Sequence, residues 1–182
     1  MFKQRLTKPE KGNKYYKVGN ATYNTQIGKF PTISFKSPRD LTEHYNNRKY
    51  SIITKYQYEG FTDKSVAAHE LTHALQQYIF RLEKGLKGFD LRDKYISDEY
   101  IAKEIILQAR KDVFGDFYGK AAYDGTKYLG KYAQVNFSEQ LAQAVSYELT
   151  AGTNPYSVRV KELLDERLKE VLKKWLLKCQ NL

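Results

Sequence analysis

An α+β domain is the fold class that this sequence predicts, and three observations carry the expectation. The stretches 32–35 and 50–58 are β-branched and aromatic with partial alternation, as short strands are. From about residue 62 onward, apolar residues recur at three- and four-residue spacing in segments punctuated by asparagine, glycine and proline, which is helical periodicity with start and stop signals. The chain has 182 residues, no internal repeat and no Pro/Gly/Ser-rich linker, so a single core suffices. The expected order is a small sheet, then a helix-rich part, then a long C-terminal amphipathic helix. This single domain covers residues 21–182, behind a basic arm at 1–20.

The first helix carries the chemistry. Residues 69 to 73 read His69-Glu70-Leu71-Thr72-His73 inside an apolar stretch, with Thr62-Asp63 as a start and Gly85 as a stop. Histidines four apart project from one face of a helix, so both imidazoles can reach one metal ion, and the glutamate beside the first can touch a water on it. Stepping 100° per residue from His69 puts Ala67, Leu71, Ala74, Leu75, Tyr78 and Leu82 between roughly 140° and 240°. The helix is therefore expected to bury that stripe and to offer its histidine face to a cleft.

A catalytic zinc needs a third protein ligand and an open position. The chain has only three histidines, His44, His69 and His73, and none lies downstream, so a carboxylate is expected. The best segment is 132–145. Asn136 is a good N-cap and Gly152 a good stop for a helix of about 15 residues. Glu139 falls in its first turn, away from Leu141, Ala144 and Val145, and the small Ala142 would let this helix approach the histidine helix. Glu148, nine residues on, is two and a half turns away and points to the opposite side. Glu139 is the expected ligand, and Glu148 is expected to pair with a buried cation or to cap a loop.

Together the histidine helix, the later Glu-x-x-Ala segment at Glu139 and a tyrosine seven residues before it, Tyr132, resemble the zincin metallopeptidases of the anthrax lethal factor and clostridial Pro-Pro endopeptidase group. The resemblance covers about residues 62–84 and 130–150. It implies a zincin-like fold and a Zn²⁺ held by His69, His73 and Glu139, with Glu70 as general base and Tyr132 as donor to the oxyanion. Tyr118, Tyr123 and Tyr128 lie in the same tyrosine-rich region and compete for that last role. Thr72 departs from the group, where glycine is common. The long interval between His73 and Glu139 is the other departure, and an added helix would account for it: Ser97 can cap one running to about Asp112, with Ile101, Ile105, Ile106 and Ala109 on its apolar face. Residues 115–130, rich in glycine and tyrosine, read as a loop.

Asn154-Pro155 opens the last helix, a cap followed by a proline suited to the first helical position. Val160, Leu163, Leu164, Leu168, Val171, Leu172, Trp175 and Leu176 form its stripe, the ordinary design of a helix packed on its own core, with a partner or membrane surface as the other use of such a face. The net charge is +10. Half of it comes from Lys3, Arg5, Lys8, Lys11, Lys14 and Lys17 against Glu10, an arm that could hold the chain weakly near nucleic acid or another acidic surface. No apolar run follows the first basic residues and no stretch approaches a membrane span, so neither a secretory signal nor a span is expected. The lone Cys179 excludes an internal disulfide and fits a reducing compartment. The expected setting is cytoplasmic or a phage or mobile-element particle. Two functions are left for the structure to weigh: a zinc metallopeptidase acting on protein or peptide, and a structural or interaction protein, such as a virion component or packaged cargo, that keeps a zincin fold with weak or no activity.

Overall fold

The computed structural model describes residues 21–24, 32–35, 61–86 and 98–180. Strands β1 (Ala21–Asn24) and β2 (Thr32–Phe35) form an antiparallel pair with Ala21 opposite Phe35 and Asn24 opposite Thr32. The helices that follow are α1 (Asp63–Lys84), α2 (Lys103–Phe114), α3 (Lys120–Thr126), α4 (Phe137–Thr150) and α5 (Pro155–Gln180). A π-helical turn, Asp98–Ala102, leads into α2, and 3₁₀ turns at Lys127–Leu129 and Lys131–Gln134 join α3 to α4.

The α+β, zincin-like expectation is corrected here. In the continuous stretches 61–86 and 98–180, helix makes up 85% and no strand occurs, so the architecture is helical. The physical reason lies in who supplies the core. Ile79 and Phe80 of α1, Ile105, Ile106 and Ala109 of α2, Leu141, Ala144 and Val145 of α4, and Tyr156, Val160, Leu164 and Val171 of α5 close one apolar cluster. The two four-residue strands make an antiparallel pair that approaches α1, but a lone two-stranded ribbon is too small to form a layer of its own. The strand expected at 50–58 and the arm at 1–20 lie outside the described residues, as does Ser97.

Within the helical part, local signals and structure agree closely. Thr62 caps α1, exchanging hydrogen bonds with Ser65, and Gly85 ends it at φ 63°, the left-handed conformation that a Cβ disfavours. The added helix between the two halves of the site is α2, with Ile101, Ile105, Ile106 and Ala109 buried. Residues 115–130 are not a loop. They form α3 and a 3₁₀ turn with Ala122, Thr126 and Leu129 buried, and Gly125 lies so close to the Phe114 ring that an added Cβ would sit 2.3 Å from it. Glycine here serves close packing inside a helix, where sequence reads it as a break.

Asn136 caps α4 by accepting from the Glu139 backbone N–H at 2.8 Å, and Asn154 caps α5 by accepting from that of Ser157 at 2.9 Å. α4 is the central helix, buried continuously from Gln140 to Ser146. α5 packs through Tyr156, Val160, Leu164 and Val171, while Trp175 and Leu176 near its end are exposed. Its Arg167 binds Glu83 of α1 and, at 2.9 Å, Glu104 of α2, which ties three helices together on the outside of the core. Among the described residues, no helix is long and apolar enough to cross a membrane.

Candidate metal centre

α1 and α4 lie side by side along a seam of small and polar side chains. The Ser146 hydroxyl donates to the Ser65 carbonyl at 2.7 Å, the hydroxyls of Ser65 and Thr150 are 2.7 Å apart, and Ala142 is fully buried between the helices. Close approach of the two backbones is what small side chains permit, and it brings residues of both helices to one point. The expected orientation of α1 holds only in part as a result, for Leu75 and Leu82 pack on the core while the histidine face is also turned inward. His69, Thr72, Gln76 and Gln77 are buried, at 0 to 5% exposure, whereas Leu71 and Tyr78 of the expected apolar stripe are 57% and 43% exposed. The histidine face goes inward because α4 offers it hydrogen-bonding partners, so burial there strands few polar groups.

At the point of convergence, His69 Nε2 and His73 Nε2 are 3.0 Å apart, and Glu139 Oε2 lies 3.0 Å from the first and 3.4 Å from the second. These are the three residues expected as ligands, and they form the only group of three or more potential metal-binding side chains among the described residues. Donor atoms about 2.0 to 2.1 Å from a tetrahedral zinc stand about 3.3 Å from one another, so the triangle has the size of one face of such a site, short by a few tenths of an ångström on two edges. Its chemistry fits as well. Glu139 Oε2 is a buried oxygen turned to two imidazole nitrogens, which themselves face each other across 3.0 Å. A cation in the middle satisfies all three atoms at once.

The electrostatics of the cluster follow from its packing. Burial alone would raise the Glu139 carboxyl pKa, but hydrogen bonds and charge from His69 and His73, when those imidazoles are protonated, hold it well below the usual carboxylate range. Tyr132 sits on the 3₁₀ turn just before α4, which Ala133 anchors in the core, and its ring centroid is 5.8 Å from that of His69. Burial, and then the negative charges of Glu139 and Glu70, push its hydroxyl pKa upward, so it remains a proton donor. Glu70 is half-buried on the next position of α1.

The competing tyrosines are elsewhere. Tyr118 and Tyr123 are exposed, and Tyr128 spends its hydroxyl on Asn154 and Ser157 at the start of α5, with burial raising its pKa to about 12. Glu148 accepts from Thr153 at 3.1 Å in the connection to α5, the loop-capping use expected of it. Thr72 is accommodated by donating back to the Ala68 carbonyl at 2.8 Å.

Two residues at this site escaped sequence reasoning. Ser138 Oγ lies 3.0 Å from His73 Nδ1 and donates to Gln76 Oε1 at 3.1 Å, and both residues are buried. The available signals were their positions, one residue before the ligand glutamate and three after the second histidine on the same face. Both are polar, and the apolar periodicity that marks a core passes over them.

Compared against known protein families, curated proteins and solved structures, the chain gives no match.

Proposed function

We propose that this chain is a zinc-dependent metallopeptidase that hydrolyses peptide bonds in a protein or peptide substrate. The observation that carries the reading is the triangle of His69 Nε2, His73 Nε2 and Glu139 Oε2, with edges of 3.0 to 3.4 Å, beside a glutamate on the same helix. Chance can supply a His-Glu-x-x-His string. It does not readily supply a buried, otherwise unpartnered carboxylate oxygen from a second helix at the same point.

His69, His73 and Glu139 would hold the metal. Zinc bound there would supply Lewis acidity towards water and towards the scissile carbonyl. Glu70 takes a proton from the attacking water as its oxygen forms the new bond to the carbonyl carbon, and returns that proton to the nitrogen as the C–N bond breaks. The Tyr132 hydroxyl, kept protonated by its surroundings, donates to the oxyanion in between. The resemblance to the lethal factor and Pro-Pro endopeptidase group assigns the same roles to these positions. The basic residues of the arm add a weak attraction to acidic partners.

The test is a peptide-library digest by zinc-loaded wild type and Glu70→Gln. The amide cannot accept the proton, so Glu70→Gln should bind zinc as wild type does and lose hydrolysis by a factor of about 100 or more. Equal cleavage by both proteins would refute the mechanism. Wild type that takes up no zinc would refute the site.

A further inference from the structure

His69 and His73 differ in what stands behind them. His69 Nδ1 is buried with no hydrogen-bond partner among the described residues, whereas His73 Nδ1 meets Ser138 Oγ at 3.0 Å. A serine has one proton to give, and Ser138 gives it to Gln76 Oε1 at 3.1 Å. Its oxygen is then left as an acceptor towards His73. An Nδ1 hydrogen-bonded to an acceptor must carry the proton, which leaves Nε2 with a bare lone pair aimed at the triangle, the tautomer that a metal requires. Gln76 Nε2, at 3.5 Å from the same Nδ1, is too distant for a good bond and does not compete.

We propose that Ser138 and Gln76 are positioning residues for the metal centre: the relay from His73 Nδ1–H to the Ser138 hydroxyl to Gln76 Oε1 sets the tautomer and ring orientation of His73. The proposal rests on the reading that His69, His73 and Glu139 bind zinc. Its members come from both helices, Gln76 from α1 and Ser138 from α4, next to Glu139. One segment thus delivers a ligand and the support for another ligand, and α4 cannot shift without disturbing both. Ser138 is 3% exposed and Gln76 is fully buried, so water does not readily replace either partner. This asymmetry makes His73 the oriented ligand of the pair.

Two measurements test this on the full chain: zinc affinity by competition with a chelator, and the His73 Nδ1–H proton of the zinc-loaded protein by NMR. Ser138→Ala should weaken zinc binding about 10- to 100-fold and expose that proton to fast exchange. Gln76→Met removes the acceptor at similar volume and should weaken binding in the same direction by less. Gln76→Glu keeps an acceptor and should retain affinity. Because the two act in series, the double variant Ser138→Ala/Gln76→Met should bind zinc no worse than Ser138→Ala alone. Wild-type affinity and a protected Nδ1–H in Ser138→Ala would overturn the relay, as would losses that simply add in the double variant. Failure of the wild-type chain itself to bind zinc would instead locate the error in the metal site, and the relay would fall with it.

Discussion

Glu139 and Glu148 share a helix and a side-chain type, and their surroundings separate them completely. Glu139 faces two imidazoles, and Glu148 holds the Thr153 hydroxyl. Glu139→Ala should cost zinc affinity by at least about tenfold and abolish hydrolysis. Glu148→Ala should leave zinc binding unchanged and lower the melting temperature, since it removes a helix-end contact worth about 1 kcal/mol. A chelator competition and a thermal melt on both variants distinguish them, and equal zinc affinity in Glu139→Ala and wild type would remove the third ligand. The tyrosines divide in the same way. Tyr132→Phe should lower kcat by about a hundredfold at unchanged zinc affinity if its hydroxyl is the proposed donor to the oxyanion, since its ring lies beside that of His69. Tyr128→Phe should lower stability and spare kcat, because its hydroxyl donates to Asn154 at the α5 cap. If the kinetic loss appears in Tyr128→Phe instead, the oxyanion role of Tyr132 is wrong.

At the scale of the helix, α1 shows why a correct element can be read with only part of its buried face. Its ends were legible because caps are local: Thr62 and Gly85 act within one turn of themselves. Its buried side was not, because hydrophobicity is a proxy for burial that fails when a neighbour supplies polar partners. α4 brings Ser138 and Ser146 to α1, so Gln76, His69 and Ser65 go inside while Leu71 stays out. The two faces should respond oppositely to substitution. Ile79→Ala, at a fully buried position, should cost about 2 to 5 kcal/mol, whereas Leu71→Ser, at 57% exposure, should stay within about 0.5 kcal/mol of wild type. Urea unfolding of the two variants measures this, and a larger loss for Leu71→Ser would restore the original orientation. α3 teaches a related lesson. Gly119 and Gly125 sit beside Asp116 and Phe114, where no larger residue fits without movement, so glycine marked contact and not a chain break.

For the whole molecule, the triangle of His69, His73 and Glu139 bridges two helices that both contribute to the core. Zinc held at the proposed site would bind the folded arrangement of α1 and α4 and have no comparable site in the unfolded chain, so its binding would add directly to stability. At a free zinc concentration 100 times Kd, the gain should be about 2.7 kcal/mol. Chelation should therefore lower the melting temperature, and zinc should restore it in wild type but not in His69→Ala. A melting temperature indifferent to zinc would show that these residues do not bind the metal in the folded state. Sequence alone determined what depends on nearby residues: the bounds of α1, the caps of α4 and α5, the added helix α2, and, through helical spacing and the lack of a downstream histidine, the grouping of His69, His73 and Glu139 that the structure brings together. Tertiary structure decided what depends on distant ones. It made the architecture helical, turned the histidine face of α1 inward, brought the Tyr132 ring to 5.8 Å from that of His69, and placed Ser138 and Gln76 behind His73. Each of those outcomes is a contact between helices, and a period of 3.6 residues says which side chains share a face without saying what that face will meet.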